Sequence, residues 1–517
     1  MTDTPNILFL FNDHQAHYRH GWDGGVRPMT PHFDRLAAEG IQFSRSYCVT
    51  PLCGPSRRSM LTGLYPHNHK NYYNYTNAPY DHEVYTDRLA EHGYQSYYYG
   101  KWHAGAGTAH DFNCEGYSYS DYGNPYITQE YLNYLEEMKL PRAEHFIEYN
   151  FMVKEPLKSQ FPTMVEGSRY REETPWCGGD AVGITVTPKE THEAYFLVHL
   201  ACKKLEELAG SNTSEPFHLR VDFWGPHQPF FPTQEFVDLY NPDDITLYGN
   251  FHDNFEKKPD FFRYAPGRAH TDENDEMIVP NPLPWSEWQK ILTRAYGQIT
   301  MVDAAGGMVL DKLKELGLDE NTLVIWTTDH GDALASHGGR MDKGSYMTEE
   351  VMRVPLAMRF PGVIDPGQNC DQLVCGIDVI PTLLDAAGTG FTHRVDGTSL
   401  LPLAAGEKAP WRDSLMVETY GLGFGATHIG RALIKGDYKY IAYQAEIHEL
   451  YNLSEDPYEL TNLIDEPSHQ EKAQEMWIEL QKWMKQSGDG DFNKPIPQDF
   501  IEQDRKQLQE LLKRRAG

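Results

Sequence analysis

The sequence predicts an α/β fold: a mainly parallel central sheet sandwiched by helices, with a smaller C-terminal α+β subdomain built on an antiparallel sheet. Three observations carry this expectation. Asn6–Phe11 (NILFLF) is a continuous apolar run of strand length, as expected of a strand buried on both faces. Strand-like and helical segments then alternate at the spacing of parallel crossovers. After about Leu401 the pattern changes to short strand-like pieces and turns, such as Tyr438–Tyr443 and Ser454-Glu-Asp-Pro457.

In chain order, Thr30-Pro31 opens a helix with a threonine cap and a proline at its first position, and Gly40 closes it. Pro55–Leu61 reads as a second helix start, with Pro55 first. Tyr94–Tyr99 and Phe217–Phe223 (FHLRVDF) read as strands. The helical stretch Ser286–Leu316 leads through Gly317 to the strand Thr322–Thr328 (TLVIWTT). The Tyr- and Pro-rich region Phe112–Trp176 reads as a long insertion with loops. Residues 1–400 would form the larger α/β domain and 401–517 the C-terminal subdomain. The charged helix expected over Phe500–Arg515 suits an arm that packs on a neighbour, which leaves a homo-oligomer open.

Composition narrows the function. The chain has 517 residues, of which 40% are hydrophobic, so it is globular. A net charge of -29 excludes a nucleic-acid or anionic-membrane partner, since no basic excess neutralises phosphates. A few local cations can still reverse the field inside one cleft and admit a small anionic substrate. Met1-Thr2-Asp3-Thr4-Pro5 lacks a basic leader region and no apolar run reaches membrane-spanning length, so a cytoplasmic location is expected. The seven cysteines (Cys48, Cys53, Cys114, Cys177, Cys202, Cys370, Cys375) are odd in number and form no C-x-x-C pair, which fits a reducing compartment. Asn74-Tyr-Thr, Asn212-Thr-Ser and Asn452-Leu-Ser match glycosylation acceptors, but without a secretion signal they read as chance matches.

Reactive residues follow four predicted strands at once: Asn12-Asp13-His14, Lys101-Trp-His103, Trp-Gly-Pro-His227 and Asp329-His330. In an open α/β sheet, ligands bind beyond the carboxyl ends of the strands, so parallel neighbours would bring all four sets to one crevice. Each residue alone has a plainer explanation. Asp13 and Asp329 could cap the next helix, and His103 and His227 could be satisfied core or surface histidines. Lys101 and Lys343 would ordinarily be solvated. His14 and His330, adjacent to the two carboxylates, point instead to a two-segment metal site with oxygen and nitrogen donors. Cys53, in Pro51-Leu-Cys-Gly-Pro-Ser-Arg-Arg58, could be a small buried hydrophobe. Yet it precedes a helix N-terminus that favours negative charge, and Arg57 adds a planar cation suited to a tetrahedral oxyanion. A thiolate nucleophile fits the same place.

Cys53-Gly-Pro55-Ser-Arg57 with Met60-Leu-Thr-Gly63 resembles the signature C-x-P-S-R…LTG of the formylglycine-dependent (type I) sulfatases of the alkaline phosphatase superfamily. The resemblance extends to Pro5-Asn-Ile-Leu, Gly100-Lys-Trp-His103, Pro226-His-Gln-Pro-Phe230, Asp329-His-Gly331, Lys343-Gly-Ser-Tyr346 and Glu449-Leu-Tyr-Asn-Leu453, and is weakest in Phe112–Trp176. It implies that a maturation enzyme converts Cys53 to formylglycine, whose hydrated aldehyde is the nucleophile. It implies further that Asp13, His14, Asp329, His330 and residue 53 hold one divalent cation. Arg57 and His103 would hold and activate the nucleophile, Lys101 and Lys343 would bind sulfate oxygens, and His227 would protonate the leaving alcohol. The substrate would be an aryl or carbohydrate sulfate ester.

One departure matters. Where the family commonly has two aspartates, this chain has Asp13-His14, which resembles the phosphonate monoester hydrolase branch in placing a neutral residue there. Calcium is the expected metal and manganese the alternative, because imidazole suits manganese better. A shift by one would make Gln15 the ligand in place of His14. The rival readings are a phosphonate monoester or phosphodiester hydrolase with the same site, and a two-metal phosphatase, which Cys53 disfavours. A non-catalytic binding protein is the third, and the intact polar set argues against it. The substrate alcohol is not read from the sequence: Tyr72, Tyr73, Tyr75 and Tyr97–Tyr99 suit a ring-binding pocket and core packing equally.

Overall fold

The computed structural model describes residues 4–17, 25–76, 78–119, 123–154, 157–173, 179–211, 215–265, 270–408, 410–423, 428–490, 492–494, 502 and 506. The apolar runs of the sequence pair into one eight-stranded sheet. Its strands are β1 (Asn6–Asp13), β2 (Ile41–Phe43), β3 (Gln95–Lys101), β4 (Cys114–Tyr119), β5 (Phe217–Pro226), β6 (Thr322–Thr328), β7 (Ala357–Arg359) and β8 (Gln368–Cys370). They lie in the order β8-β2-β7-β6-β1-β5-β3-β4, and β7 alone runs against the other seven.

The helices that sandwich the sheet follow from period-two alternation in strands buried on both faces. Leu8 and Leu10 pack with Leu36 of α1 (Pro31–Ala38), Leu197 and Leu205 of α3 (Glu193–Gly210), and Val302 and Val309 of α4 (Trp285–Glu315). Ile7, Phe9 and Phe11 face the opposite way, toward Met60 and Leu61 of α2 (Cys53–Thr62) and Ile380 and Leu383 of α5 (Val379–Ala386). Each such side chain contributes about 1.5–3 kcal/mol by leaving water. The strands Tyr94–Tyr99 and Phe217–Phe223 and the helix Ser286–Leu316 are found within a few residues of expectation.

Three details differ from the sequence reading. Thr30 makes no cap hydrogen bond to α1. Asp303 of α4 does so instead, accepting from the backbone N–H of His32 (3.0 Å) and Phe33 (2.9 Å). Gly40 serves a close approach: a Cβ there would lie 2.0 Å from the Met358 carbonyl oxygen of β7. The region Phe112–Trp176 is more than loops, since it supplies the edge strand β4 and the helix Gln129–Met138. It also gives His145–Asn150 and Arg169–Tyr170, which join Ala181–Thr185 in a three-stranded sheet.

The C-terminal sheet is an antiparallel meander of β9 (Ser414–Thr419), β10 (Gly430–Lys435), β11 (Tyr438–Tyr443) and β12 (Glu449–Asn452). Leu433 and Ile441 pack beneath Met476 and Leu480 of α6 (Gln470–Ser487), in a core shared with Val49 and Met352 of the larger unit. The helix expected over Phe500–Arg515 lies outside the described residues except at 502 and 506, as do Cys177 and Asn212. Among the described residues, no helix is long and apolar enough to cross a membrane.

Candidate active site

β6, β1, β5 and β3 are adjacent and parallel, so their carboxyl ends open on one crevice. Asp13 ends β1, Lys101 ends β3, His227 follows β5, and Asp329-His330 follow β6. The backbone turns sharply there: His14 and His103 take φ values of 65° and 44°, in the left-handed region that side chains other than glycine seldom adopt.

The nucleophile position is set by α2. This helix starts at Cys53, two residues before the expected start at Pro55. A proline in the first turn removes no helical hydrogen bond, because the first N–H groups lack intrahelical partners in any case. Leu52 offers no cap, and Asn74 supplies one from outside by accepting from the Gly54 N–H at 2.9 Å. That oxygen belongs to one of the matches to a glycosylation acceptor. Cys53 is fully buried, and burial pushes its thiol up to about 12, so an unmodified cysteine here is a thiol at neutral pH.

Around Cys53, single ligand atoms of Asp13, His14, Cys53 and His330 all lie within 4.8 Å of one another. His330 Nε2 is 3.2 Å and His14 Nε2 3.6 Å from the Cys53 Sγ. Asp329 ties these segments together. Its Oδ1 accepts from the N–H groups of His14 (3.1 Å) and His330 (2.9 Å), and its Oδ2 from Arg57 Nε (3.1 Å). Gln15 turns its side chain to Asn12. Lys101 donates to Asp13 Oδ2, whereas the buried Asp13 Oδ1 has no hydrogen-bond partner. A buried carboxylate oxygen that accepts no hydrogen bond, with Arg57 Nη2 3.6 Å away and two imidazoles in the same cluster, fits a divalent cation.

The rest of the predicted set surrounds this cluster. Lys343 Nζ bonds Asp342 Oδ1 at 2.9 Å. His227 packs its ring 3.9 Å from that of His14 and places Nδ1 2.6 Å from the Gln228 carbonyl oxygen. A carbonyl only accepts, so Nδ1 carries the proton and Nε2 keeps its lone pair. His103 is buried, with its ring 6.4 Å from that of Tyr75. Burial lowers the proton affinity of His14, His103 and His330, and brings His227 to about 3. Burial pushes Asp329 the other way, but His330 and Arg57 hold its carboxyl below the usual range. In Lys343, Asp342 overcomes burial and raises the ammonium further.

Sequence reasoning missed three carboxylates. Asp332 Oδ2 lies 3.2 Å from His14 Nδ1, and Asp342 Oδ1 lies 3.7 Å from His14 Nε2. Asp222 bonds Arg57 from inside β5 at 3.0 Å. The first two were signalled by their closeness in sequence to Asp329 and Lys343. The third was signalled by two charges, Arg220 and Asp222, inside a strand whose other residues are mostly apolar.

A helix-sandwiched parallel sheet, with this cluster at its carboxyl edge, defines a hydrolase of the alkaline phosphatase superfamily. The chain belongs to the sulfatase family, whose model matches residues 5–389, and is a sulfuric ester hydrolase. A model described as N-sulphoglucosamine sulphohydrolase, C-terminal, matches residues 337–486. An N-acetylglucosamine-6-O-sulfatase of Bacteroides thetaiotaomicron is 26% identical, over 95% of this chain and 88% of its own. An ulvan-active sulfatase of Formosa agariphila is 24% identical over 94% and 82%. Among solved structures, one in complex with its substrate D-glucosamine-2-N,6-O-disulfate superposes with a TM-score of 0.69 at 21% identity, covering 95% of this chain and 100% of that one. The phosphonate monoester hydrolase of Agrobacterium radiobacter gives 0.72 at 19%, over 93% and 96%.

Proposed function

We propose that the protein hydrolyses a sulfate monoester of a carbohydrate or aryl alcohol, using formylglycine made from Cys53 and one divalent cation. The convergence of Asp13, His14 and His330 on Cys53 at the start of α2, with Arg57 one helical turn on, carries this reading. Asp13, His14, Asp329, His330 and residue 53 would hold the cation, calcium first and manganese as the alternative. The bound cation would supply positive charge that polarises sulfate oxygens and eases deprotonation of the hydrated aldehyde. The Cys53 Sγ marks where the oxygens of that hydrate belong. Arg57 and His103 orient them, and Lys101 and Lys343 bind sulfate oxygens and stabilise charge in the transition state. His227 would protonate the departing alcohol oxygen from Nε2, after that nitrogen has taken up a proton from solvent in a charged state that the bound sulfate anion would stabilise. The named activities of the two bacterial relatives support a sulfated carbohydrate as substrate. The reading includes maturation by a formylglycine-generating enzyme and a cytoplasmic location.

Mass spectrometry of the peptide containing residue 53, taken from active protein, tests the nucleophile. An aldehyde is expected, and an intact, alkylatable thiol in fully active enzyme overturns the assignment. His14 beside Cys53 favours one second reading, a phosphonate monoester or phosphodiester hydrolase with the same site. Comparing kcat/KM for sulfate and phosphodiester esters separates the two. Metal analysis should find one ion per chain, and two tightly bound ions would point to a two-metal phosphatase.

A further inference from the structure

Two charged residues sit in the middle of β5, a strand buried along its whole length, and the proposed mechanism gives them no task. Arg220 and Asp222 are each at most 1% exposed. Charges at such depth persist only where partners offset desolvation. Arg220 is held in place by the rings of Phe9, Phe11 and Tyr98, whose centroids lie 4.6, 4.8 and 5.4 Å from its guanidinium carbon. It grips Asp222 by two bonds, Nε to Oδ1 at 2.6 Å and Nη2 to Oδ2 at 2.9 Å. A self-contained ion pair would stop there. Asp222 Oδ2 accepts two further donors, Tyr98 Oη at 2.7 Å and Arg57 Nη1 at 3.0 Å.

The donors of Arg57 show what this achieves. Nε–H goes to Asp329, and Nη1 serves both Asp222 and the Lys101 carbonyl oxygen (2.9 Å). Nη2 is buried, has no hydrogen-bond partner, and lies 3.6 Å from Asp13 Oδ1. A guanidinium is rigid and planar, so anchoring Nε and Nη1 fixes where Nη2 points. We propose that Asp222, braced by Arg220, is a positioning residue that sets Arg57 so that its Nη2 donors face residue 53. This rests on the reading that Arg57 orients the nucleophile. Asp222 touches neither residue 53 nor a sulfate in this scheme, and it acts only through Arg57.

The test uses full-length, metal-loaded enzyme whose residue 53 is shown by mass spectrometry to be converted to the same extent in every variant. Asp222→Asn should lower kcat by about 10–100-fold, as loss of an outer partner typically does, while KM stays near wild type. The melting temperature should fall, because Arg220 loses its buried counter-charge. In an Arg57→Lys background, which keeps the charge but has no second edge to orient, the same substitution should change kcat less than about twofold. Non-additivity of this kind marks residues that act as one unit. A crystal structure of Asp222→Asn reads the same point without turnover, and Arg57 Nη2 should have swung away from residue 53. If Asp222→Asn does not fold, Arg220→Met with Asp222→Leu removes the pair at similar volume and leaves neither charge behind. The same measurements then apply. Equal losses in the wild-type and Arg57→Lys backgrounds would show a structural role and overturn the proposal, as would an unmoved Arg57 with undiminished kcat. Should Arg57→Lys itself turn over like wild type, the role given to Arg57 falls, and the proposal with it. Should Arg57→Lys be impaired and both Asp222 variants be fully active, only the positioning claim falls.

Discussion

His227 directs its Nδ1–H to the Gln228 carbonyl and packs against His14, so Nε2 is the ring nitrogen that can take up and pass on a proton. If it protonates the leaving oxygen, His227→Ala should hurt most for alkyl or sugar alcohols, by the ~10²–10⁴-fold typical of general acid catalysis. For an activated aryl sulfate, whose oxygen needs no proton, the loss should be far smaller. Steady-state kinetics on both esters checks this, and equal losses would assign His227 to sulfate positioning. At Cys53, replacement by alanine should abolish turnover and leave the fold intact, read by activity and circular dichroism. The sequence made Asp13, His14, His330 and Cys53 legible because each sits beside another reactive residue or in a motif. Asp222 escaped notice because its partner, Arg57, is 165 residues away, and only the pairing of β5 with β1 and β3 brings the two together.

Elements were legible where their own residues decide them, and less so where a distant element completes them. Four of the parallel strands were read, β1 and β6 from apolar runs and β3 and β5 from aromatic and β-branched content, whereas the short or edge strands β2, β4 and β8 were not. The cap of α1 was misassigned, because local sequence offers Thr30 while the fold supplies Asp303 from α4. Asp303→Ala should therefore cost about 1–2 kcal/mol, within the range for a lost N-cap, whereas Thr30→Ala should cost a few tenths. Urea unfolding of both variants measures the contrast, and equal effects would return the cap to Thr30. The same logic explains the start of α2. Pro55 is the conspicuous residue, but Asn74, twenty positions beyond Gly54, caps the turn that Cys53 begins.

Across the whole molecule, the C-terminal sheet braces the loop that carries Lys343. Ser345 Oγ bonds Thr419 Oγ1 of β9 at 2.8 Å. The fully buried Lys439 of β11 reaches the Met347 carbonyl (2.9 Å), Glu349 (3.3 Å) and Glu459. Lys439→Met leaves two carboxylates unpaired and should cost about 3–5 kcal/mol in chemical unfolding. The change in pattern after Leu401 foretold the second sheet, but nothing in the sequence foretold that it would hold an active-site loop. Stability should also fall in acid. Burial lowers His218 to about 3, below its unfolded value near 6.5, so the stability it contributes is present above pH 6.5 and is lost as pH falls toward 3. Relative to His218→Gln, the wild type should lose up to about 1.4 kcal/mol per pH unit across that window. Unfolding at pH 7, 6 and 5 would show it, and parallel pH curves would refute it.

The depth of Cys53 also orders events in time. Its side chain is fully enclosed in the first turn of α2, behind the sheet edge and the Asn74 cap. If Cys53 is converted to formylglycine as proposed, the modifying enzyme would have to reach it while the segment is still exposed. Its chance would then fall between synthesis of residues 51–58 and the closing of the sheet by β6, whose strand lies more than 260 residues later in the chain. Protein folded in a cell without that enzyme would keep a thiol that no later treatment of the native state can reach. Active enzyme would then require unfolding, modification and refolding in that order.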